Sequence, residues 1–210
     1  MNIKDIINQN EYSVILCLGD SITEANHCTE GYLGYAELLN EALRKTFTKR
    51  KFVLINAGIG GTRAKHSVDY VRGLVSRFKP QLTTVMYGMN DSIDGEDEIS
   101  RFSQAMGEIV DAAREYGSKV VLLTQNPLDY TCSIKCITNR PCLPLYMDAV
   151  RECAAKKDVT LVDINAAWQS EVLDQDNNEH FKLLHDGIHP NHHGHRFFFE
   201  QIEKQLLNNN

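Results

Sequence analysis

Ser21 stands at the end of Val14 to Thr23, VILCLGDSIT, where a run of apolar and β-branched residues gives way at Gly19-Asp20-Ser21. A buried strand that stops so abruptly delivers one polar residue to the edge of a sheet. A serine hydroxyl is a poor nucleophile at neutral pH, so it needs a base to take its proton and a third group to orient that base. Asp186-Gly187-Ile188-His189-Pro190-Asn191, far along the chain, offers both. Gly187 lets the backbone fold tightly enough for the Asp186 carboxylate to reach one ring nitrogen of His189, which leaves the other nitrogen for Ser21. The chemistry within reach of these three residues is ester cleavage. Each piece also has a plainer reading: Gly, Asp and Ser are turn residues, and Asp186 with His189 can be a cap and a surface histidine before a terminal helix.

Ester cleavage further requires donors for the oxyanion of the tetrahedral intermediate. The Ser21 backbone N–H is free if it opens a helical turn, because the first N–H groups of a helix have no internal partner. Gly61, in Asn56-Ala57-Gly58-Ile59-Gly60-Gly61, can supply a second N–H, and without a Cβ it lets a substrate carbonyl approach. Asn90, in Gly88-Met89-Asn90-Asp91, can supply a side-chain N–H, although a turn asparagine would look the same.

These residues must be positioned by a framework, and the apolar pattern supplies one. After the first strand, AELLNEALRKTF has apolar residues at helical spacing. Further apolar runs at Phe52 to Ala57, Leu82 to Tyr87, Lys119 to Thr124 and Val159 to Val162 predict four more strands. Helices are expected between them from about Arg63 to Phe78, over 97 to 116 and over 145 to 156, with a last one from His193 to about Leu207. Leu128 to Pro144 reads as irregular, and Asn208 to Asn210 as a frayed terminus. Continuous apolar strands alternating with helices imply right-handed βαβ units and a mostly parallel sheet covered on both faces, a three-layer α/β/α sandwich of about five strands. In such sheets ligands bind beyond the carboxyl ends of the strands, where Ser21, Gly61 and Asn90 all fall.

The 210 residues carry no linker composition, so one domain over 1–210 is expected, large enough to bury roughly 70% of its unfolded surface. A net charge of −6 argues against a nucleic-acid partner. MNIKDIINQNEY resembles neither a signal peptide nor a membrane anchor, which makes the cytoplasm the expected compartment and reduced thiols the expected state of the six cysteines. Cys17 reads as core. Cys132, Cys136 and Cys142, with the histidines from His180 to His195, lack the spacing of a standard zinc site, so no metal and no cofactor is expected. His192, His193 and His195 read as a solvated face at the start of the last helix. Gly58-Ile59-Gly60 is not a dinucleotide fingerprint, because Arg63 stands where its third glycine belongs. Nor is the serine in the Gly-x-Ser-x-Gly elbow of α/β-hydrolases, since Gly19-Asp20-Ser21-Ile22-Thr23 ends in threonine.

GDSIT, the NAGIGG glycine, GMND and DGIHPN resemble, in this order, the sequence blocks of the SGNH hydrolases, or GDSL-type esterases and lipases. The resemblance spans Gly19 to Asn191. It implies a flavodoxin-like sandwich in which Ser21 is the nucleophile, Asp186 orients His189, and the Ser21 amide, Gly61 and Asn90 form the oxyanion hole. Among Gly58, Gly60 and Gly61, the family block places the donor just before Thr62, hence Gly61. Asp20 and Asp91 would be supporting residues. The branch most resembled includes carbohydrate acetylesterases and acetylhydrolases similar to the platelet-activating-factor enzymes. One departure is Glu24-Ala25, where many relatives carry Glu-Gly. The expected substrate is then a small-molecule ester with a short acyl group, acetyl or butyryl before palmitoyl. It would be cleaved through an acyl-enzyme, with a sugar as the leading candidate for the alcohol. A lysophospholipase or thioesterase is the alternative, and a catalytically silent binding domain the contrasting one. No membrane partner is expected, and the oligomeric state is open.

Overall fold

The structure, a computed structural model, describes residues 1–175 and 177–208. The expected fraying of the terminal asparagines falls mostly on 209 and 210, outside the described residues. Five strands, β1 (Tyr12–Gly19), β2 (Lys51–Gly58), β3 (Leu82–Met86), β4 (Lys119–Leu123) and β5 (Thr160–Val162), form one parallel sheet in the order β2-β1-β3-β4-β5. From Ser13 to Gly19 every residue of β1 is buried, as a central strand covered on both faces requires. The flavodoxin-like order puts the reversal of strand order between β1 and β3, so the residues just beyond Gly19 lie at the crevice where such sheets bind ligands.

The helices that cover the sheet are those the apolar periodicity predicts, with small shifts at their ends. Helix α3 (Tyr35–Thr46) packs against α10 (His192–Leu206) on one face, while α4 (Ala64–Phe78), α5 (Ile99–Glu115) and α7 (Leu143–Lys157) pack in sequence on the other. The expected start of α5 at 97 is displaced to Ile99 by two 3₁₀ turns over Asp91–Asp94 and Glu96–Glu98. Shorter elements lie outside the predicted set. Helix α1 (Ile3–Gln9), capped by the Asn2 side chain, buries Ile3, Ile6 and Ile7, a spacing too brief to stand out in the sequence. The segment read as irregular contains α6 (Lys135–Thr138), and the stretch after β5 holds α8 (Ile164–Trp168), a π turn (Gln169–Leu173) and α9 (Asn177–Leu183). Trp168, fully buried, packs edge-on to Phe197 and Phe198 of α10 and donates its indole N–H to His180 Nδ1 at 2.9 Å.

The chain turns sharply after β1. Asp20, the N-cap of the four-residue α2 (Ser21–Glu24), accepts the Ile22 N–H at 3.0 Å, and Ala25 closes the turn in the left-handed region at φ 56°. That conformation suits the glycine of the Glu-Gly pair, so the departure at Ala25 is accommodated at some backbone cost. At Gly19 there is no room for a side chain. A Cβ there would stand 2.1 Å from Thr23 Oγ1 and 2.7 Å from the Met86 carbonyl oxygen. Gly19→Ala is therefore expected to destabilise the fold by about 3 kcal/mol, as overpacking of a tight site does, lowering Tm by about 10 °C. A thermal melt that changes by less than about 2 °C would show that the turn after β1 is looser than this.

Candidate active site

Ser21 lies in the first turn after β1, with its Oγ 2.9 Å from His189 Nε2 across 168 residues of sequence. On the other side of the ring, Nδ1 donates to Asp186 Oδ2 at 2.8 Å. This fixes Nε2 as the acceptor for the serine proton. The remaining Asp186 oxygen accepts the backbone N–H groups of Ile188 and His189, at 3.0 and 2.8 Å, so the carboxylate also shapes the loop that carries the histidine. Gly187, at φ 82°, takes the left-handed conformation this tight turn needs. Asn126 holds the loop from beneath by donating to the Ile188 carbonyl at 2.9 Å.

The electrostatics follow from these contacts. Partial burial would raise the Asp186 carboxyl, but the ring and amide hydrogen bonds of His189 and the Ile188 N–H hold it well below the usual carboxylate range. For His189, burial would lower the imidazole, and the Asp186 carboxylate together with the Cys28 sulfur outweighs it and raises the ring above its ordinary value. The imidazolium that forms when the ring takes a proton is thus favoured in place.

Asn90 follows β3. Its Nδ2 donates to the Thr62 carbonyl at 3.1 Å and its Oδ1 accepts from Arg140 Nη2 at 3.3 Å. One N–H of the planar NH₂ is then left over. Gly61 adopts φ 75°, and a Cβ built there would meet nothing within 4 Å. The need for glycine at this position is therefore backbone conformation, and close packing is ruled out as its cause. Gly58 differs, since its Cβ would strike the Glu24 nitrogen at 2.4 Å. Among the described residues no acceptor takes the Ser21 or Gly61 backbone N–H.

The two aspartates expected to support the site each accept hydrogen bonds from the loops around it. Asp20 is fully buried, and its second oxygen accepts from Gln125 Nε2 at 2.9 Å. Gln125 Oε1 in turn accepts the Met89 N–H at 2.5 Å. Burial pushes the Asp20 carboxyl up to about 6 against these hydrogen bonds. Asp91 accepts the Ala64 N–H at 2.9 Å, joining the Asn90 loop to the first turn of α4, while its other oxygen is buried without a partner.

Several residues that bear on the site carry no motif in the sequence. Arg140, buried in the segment read as irregular, donates to the Met89 carbonyl at 2.9 Å, to the Cys136 carbonyl and to Asn90. Gln125 and Asn126 are polar residues directly after an apolar strand, the one signal that could have marked them. His27 and Cys28 lie against His189, with the two imidazole rings 5.1 Å apart and edge-on. Cys132, Cys136 and Cys142 are free thiols, and Cys132 donates to Asp129 Oδ2 at 2.8 Å. The expectation of a solvated histidine face fails for His195, which is 1% exposed. Its Nδ1 accepts the Tyr35 N–H at 3.4 Å and its ring stacks on Tyr35, because the start of α10 packs against α3. Burial holds the His195 imidazole down at about 4.

The model of the GDSL-like lipase/acylhydrolase family matches residues 17–197. No curated protein sequence matches the chain. Among solved structures, LAE5, an alpha/beta hydrolase enzyme from the metagenome of Lake Arreo, Spain, is 25% identical with a TM-score of 0.74, over 91% of this chain and 94% of that one. Axe2, an acetylxylan esterase from Geobacillus stearothermophilus, is 20% identical with a TM-score of 0.74, over 91% of this chain and 93% of its own. At that identity Axe2 speaks for the fold alone.

The Asp91 carboxyl, pushed up to about 7 chiefly by burial and next by the charge of Asp20, sets a pH dependence of stability. Above the ordinary carboxylate value the unfolded chain has released this proton while the folded protein still holds it, so stability falls as pH rises from about 4 towards 7. Asp91→Asn keeps the acceptor for the Ala64 N–H and removes the ionisation. Between pH 5 and 8 its Tm should fall less than that of the wild type, by on the order of 5 °C. Parallel melting curves for the two proteins would contradict the raised carboxyl.

Proposed function

Since the chain belongs to the GDSL-like lipase/acylhydrolase family and is accordingly a serine ester hydrolase, we propose that it removes short acyl groups, acetyl above all, from carbohydrate hydroxyls. The observation that carries this reading is the continuous line Ser21 Oγ, His189 Nε2, His189 Nδ1, Asp186 Oδ2 at the carboxyl end of β1. In the first half of the reaction His189 takes the Ser21 proton as Oγ attacks the ester carbonyl, then gives it to the departing alcohol. An acyl-serine remains. His189 next takes a proton from water, the hydroxide attacks the acyl carbonyl, and the proton returns to Oγ. In both halves the negative oxygen is held by the Ser21 and Gly61 backbone N–H groups and by the spare Asn90 N–H. Asp186 keeps the ring in the required tautomer throughout, and Asp20 and Asp91 hold the loops that carry these groups.

The surroundings of Ser21 support a polar alcohol. One turn beyond it, Glu24, Asn26, Thr29, Tyr32 and Glu37 line a cleft of about 250 Å³. Tyr32 is largely exposed and stacks on His192 with ring centroids 4.4 Å apart. An aromatic face bordered by carboxylates and an amide matches the alternating apolar and hydroxyl surfaces of a sugar. The fold shared with an acetylxylan esterase is consistent with such a substrate. A lysophospholipase or thioesterase reading draws on the exposed apolar side chains of Tyr130 and Ile134, in the segment that touches the His189 loop through the Asp129 N–H and the Gly187 carbonyl. The cytoplasm is the compartment we propose.

A panel of acetylated xylo-oligosaccharides, p-nitrophenyl acetate and palmitate, lysophospholipids and acyl thioesters tests the reading with wild type and Ser21→Ala. Acetyl esters should turn over fastest, and Ser21→Ala should stay folded and lose the activity. Faster release of palmitoyl groups would give preference to the lipid reading.

Asn90 separates an oxyanion donor from a turn residue. Asn90→Ala should lower kcat and kcat/KM together by about a hundredfold with KM nearly unchanged. Asn90→Asp should be at least as damaging, since it replaces the spare N–H with a charge that repels the oxyanion. If Asn90→Asp keeps more than about half of wild-type kcat, the amide is no donor.

A further inference from the structure

His27 and Cys28 have no part in the reaction just described, yet they lie against its base. The donor atoms of His27, Cys28 and His189 all stand within 4.8 Å of one another, brought together from two segments more than 150 residues apart. His27 is exposed, Cys28 is buried at 3% exposure, and His189 is partly buried, so the cluster opens to solvent on one side. Two imidazoles and a thiol form the donor set that zinc prefers over magnesium or calcium.

We propose that His27, Cys28 and His189 form a binding site for Zn²⁺ that reversibly shuts off the esterase. With zinc bonds of about 2.3 Å to sulfur and 2.0–2.1 Å to nitrogen, tetrahedral donors stand about 3.4–3.6 Å apart. Turning the exposed His27 side chain closes the remaining gap. His189 is already arranged as a ligand. Its Nδ1 is bound to Asp186, which leaves Nε2 as the nitrogen for the metal, as in a carboxylate–histidine–zinc arrangement. Ser21 Oγ, 2.9 Å from that nitrogen, or a water takes the fourth position. On binding, the Cys28 thiol loses its proton to solvent as the sulfur–zinc bond forms, and the Nε2 lone pair is committed to the metal. Ser21 then has no base.

The loss of activity rests on the role assigned above to His189, whereas the binding does not, so the two are measured separately. The first measurement is binding. One Zn²⁺ per chain should be taken up in competition with a chromophoric chelator. Co²⁺ should produce tetrahedral visible bands and a sulfur-to-cobalt charge-transfer band in the near ultraviolet. Cys28→Ser should lose the charge-transfer band, and Cys136→Ser, which alters the exposed thiol, should keep it. The second is hydrolysis of p-nitrophenyl acetate. Zinc should abolish it in the wild type, with recovery on adding EDTA. His27→Ala should hydrolyse the ester as the wild type does and need at least about tenfold more zinc to be inhibited, the loss expected on removing a ligand-level contact. A charge-transfer band that survives in Cys28→Ser, or inhibition unchanged in His27→Ala, would overturn the site. A site that binds cobalt through Cys28 without loss of activity would overturn the shut-off, since His189 would then keep its lone pair for Ser21.

Discussion

The carboxyl end of the sheet is organised by one buried carboxylate. Asp20 has no contact with water, and each of its oxygens is committed: one to the Ile22 N–H in the turn that presents Ser21, the other to the Gln125 side chain after β4. Gln125 passes the connection on to the Met89 N–H, beside Asn90. Through two side chains the ends of β1, β3 and β4 are therefore held in one register. Desolvation is the cost, visible in the raised Asp20 carboxyl, and the hydrogen bonds offset it in part. A buried polar network of this kind specifies a geometry because each member would be left unsatisfied in any other.

A second set of contacts closes the site from the loop side. The segment from Leu128 to Pro144 has only one helical turn of its own, yet it reaches both halves of the machinery. Arg140 grips the Met89 carbonyl and the Asn90 amide oxygen, and the Asp129 N–H donates to the Gly187 carbonyl in the loop that carries Asp186 and His189. The Arg140 contact also fixes which way the Asn90 amide faces: the cation takes the oxygen, so the NH₂ group points to Thr62 and the space beyond. Asn126 adds a third tie, to the Ile188 carbonyl. A loop rich in free thiols thus acts as a clamp, and its apolar anchor, Ile137, lies in the core.

His189 sits where opposing influences meet. Burial opposes its positive form, whereas Asp186 and the adjacent Cys28 favour it. A nitrogen lone pair held towards Ser21 and made more basic is useful to a reaction that needs a base, and by the same chemistry it is attractive to a soft cation. His195 shows the contrast. Carried on α10 and packed against α3, it is held neutral by burial first and by the positive form of His189 second.

The sequence by itself determined the alternation of strands and helices, because continuous apolar runs and 3.6-residue periodicity report burial whatever the partner. It also determined the positions of Ser21, Asp186, His189, Gly61 and Asn90. Ser21, Gly61 and Asn90 sit where an apolar run breaks into a short polar turn, and Asp186 and His189 in a turn before the last helix, all of them local features. Helix α1, α8 and α9 were not legible, since they are too short for periodicity to separate from a loop. Tertiary structure alone decided what touches what. The 2.9 Å approach of Ser21 to His189, the chain from Asp20 through Gln125 to Met89, and the placement of Cys28 and His27 against the base join residues far apart in the chain or without a motif. His195 is the plainest case. Its sequence neighbours His192 and His193 are partly or fully solvated, and it is buried because α10 meets α3, a packing that no local pattern encodes.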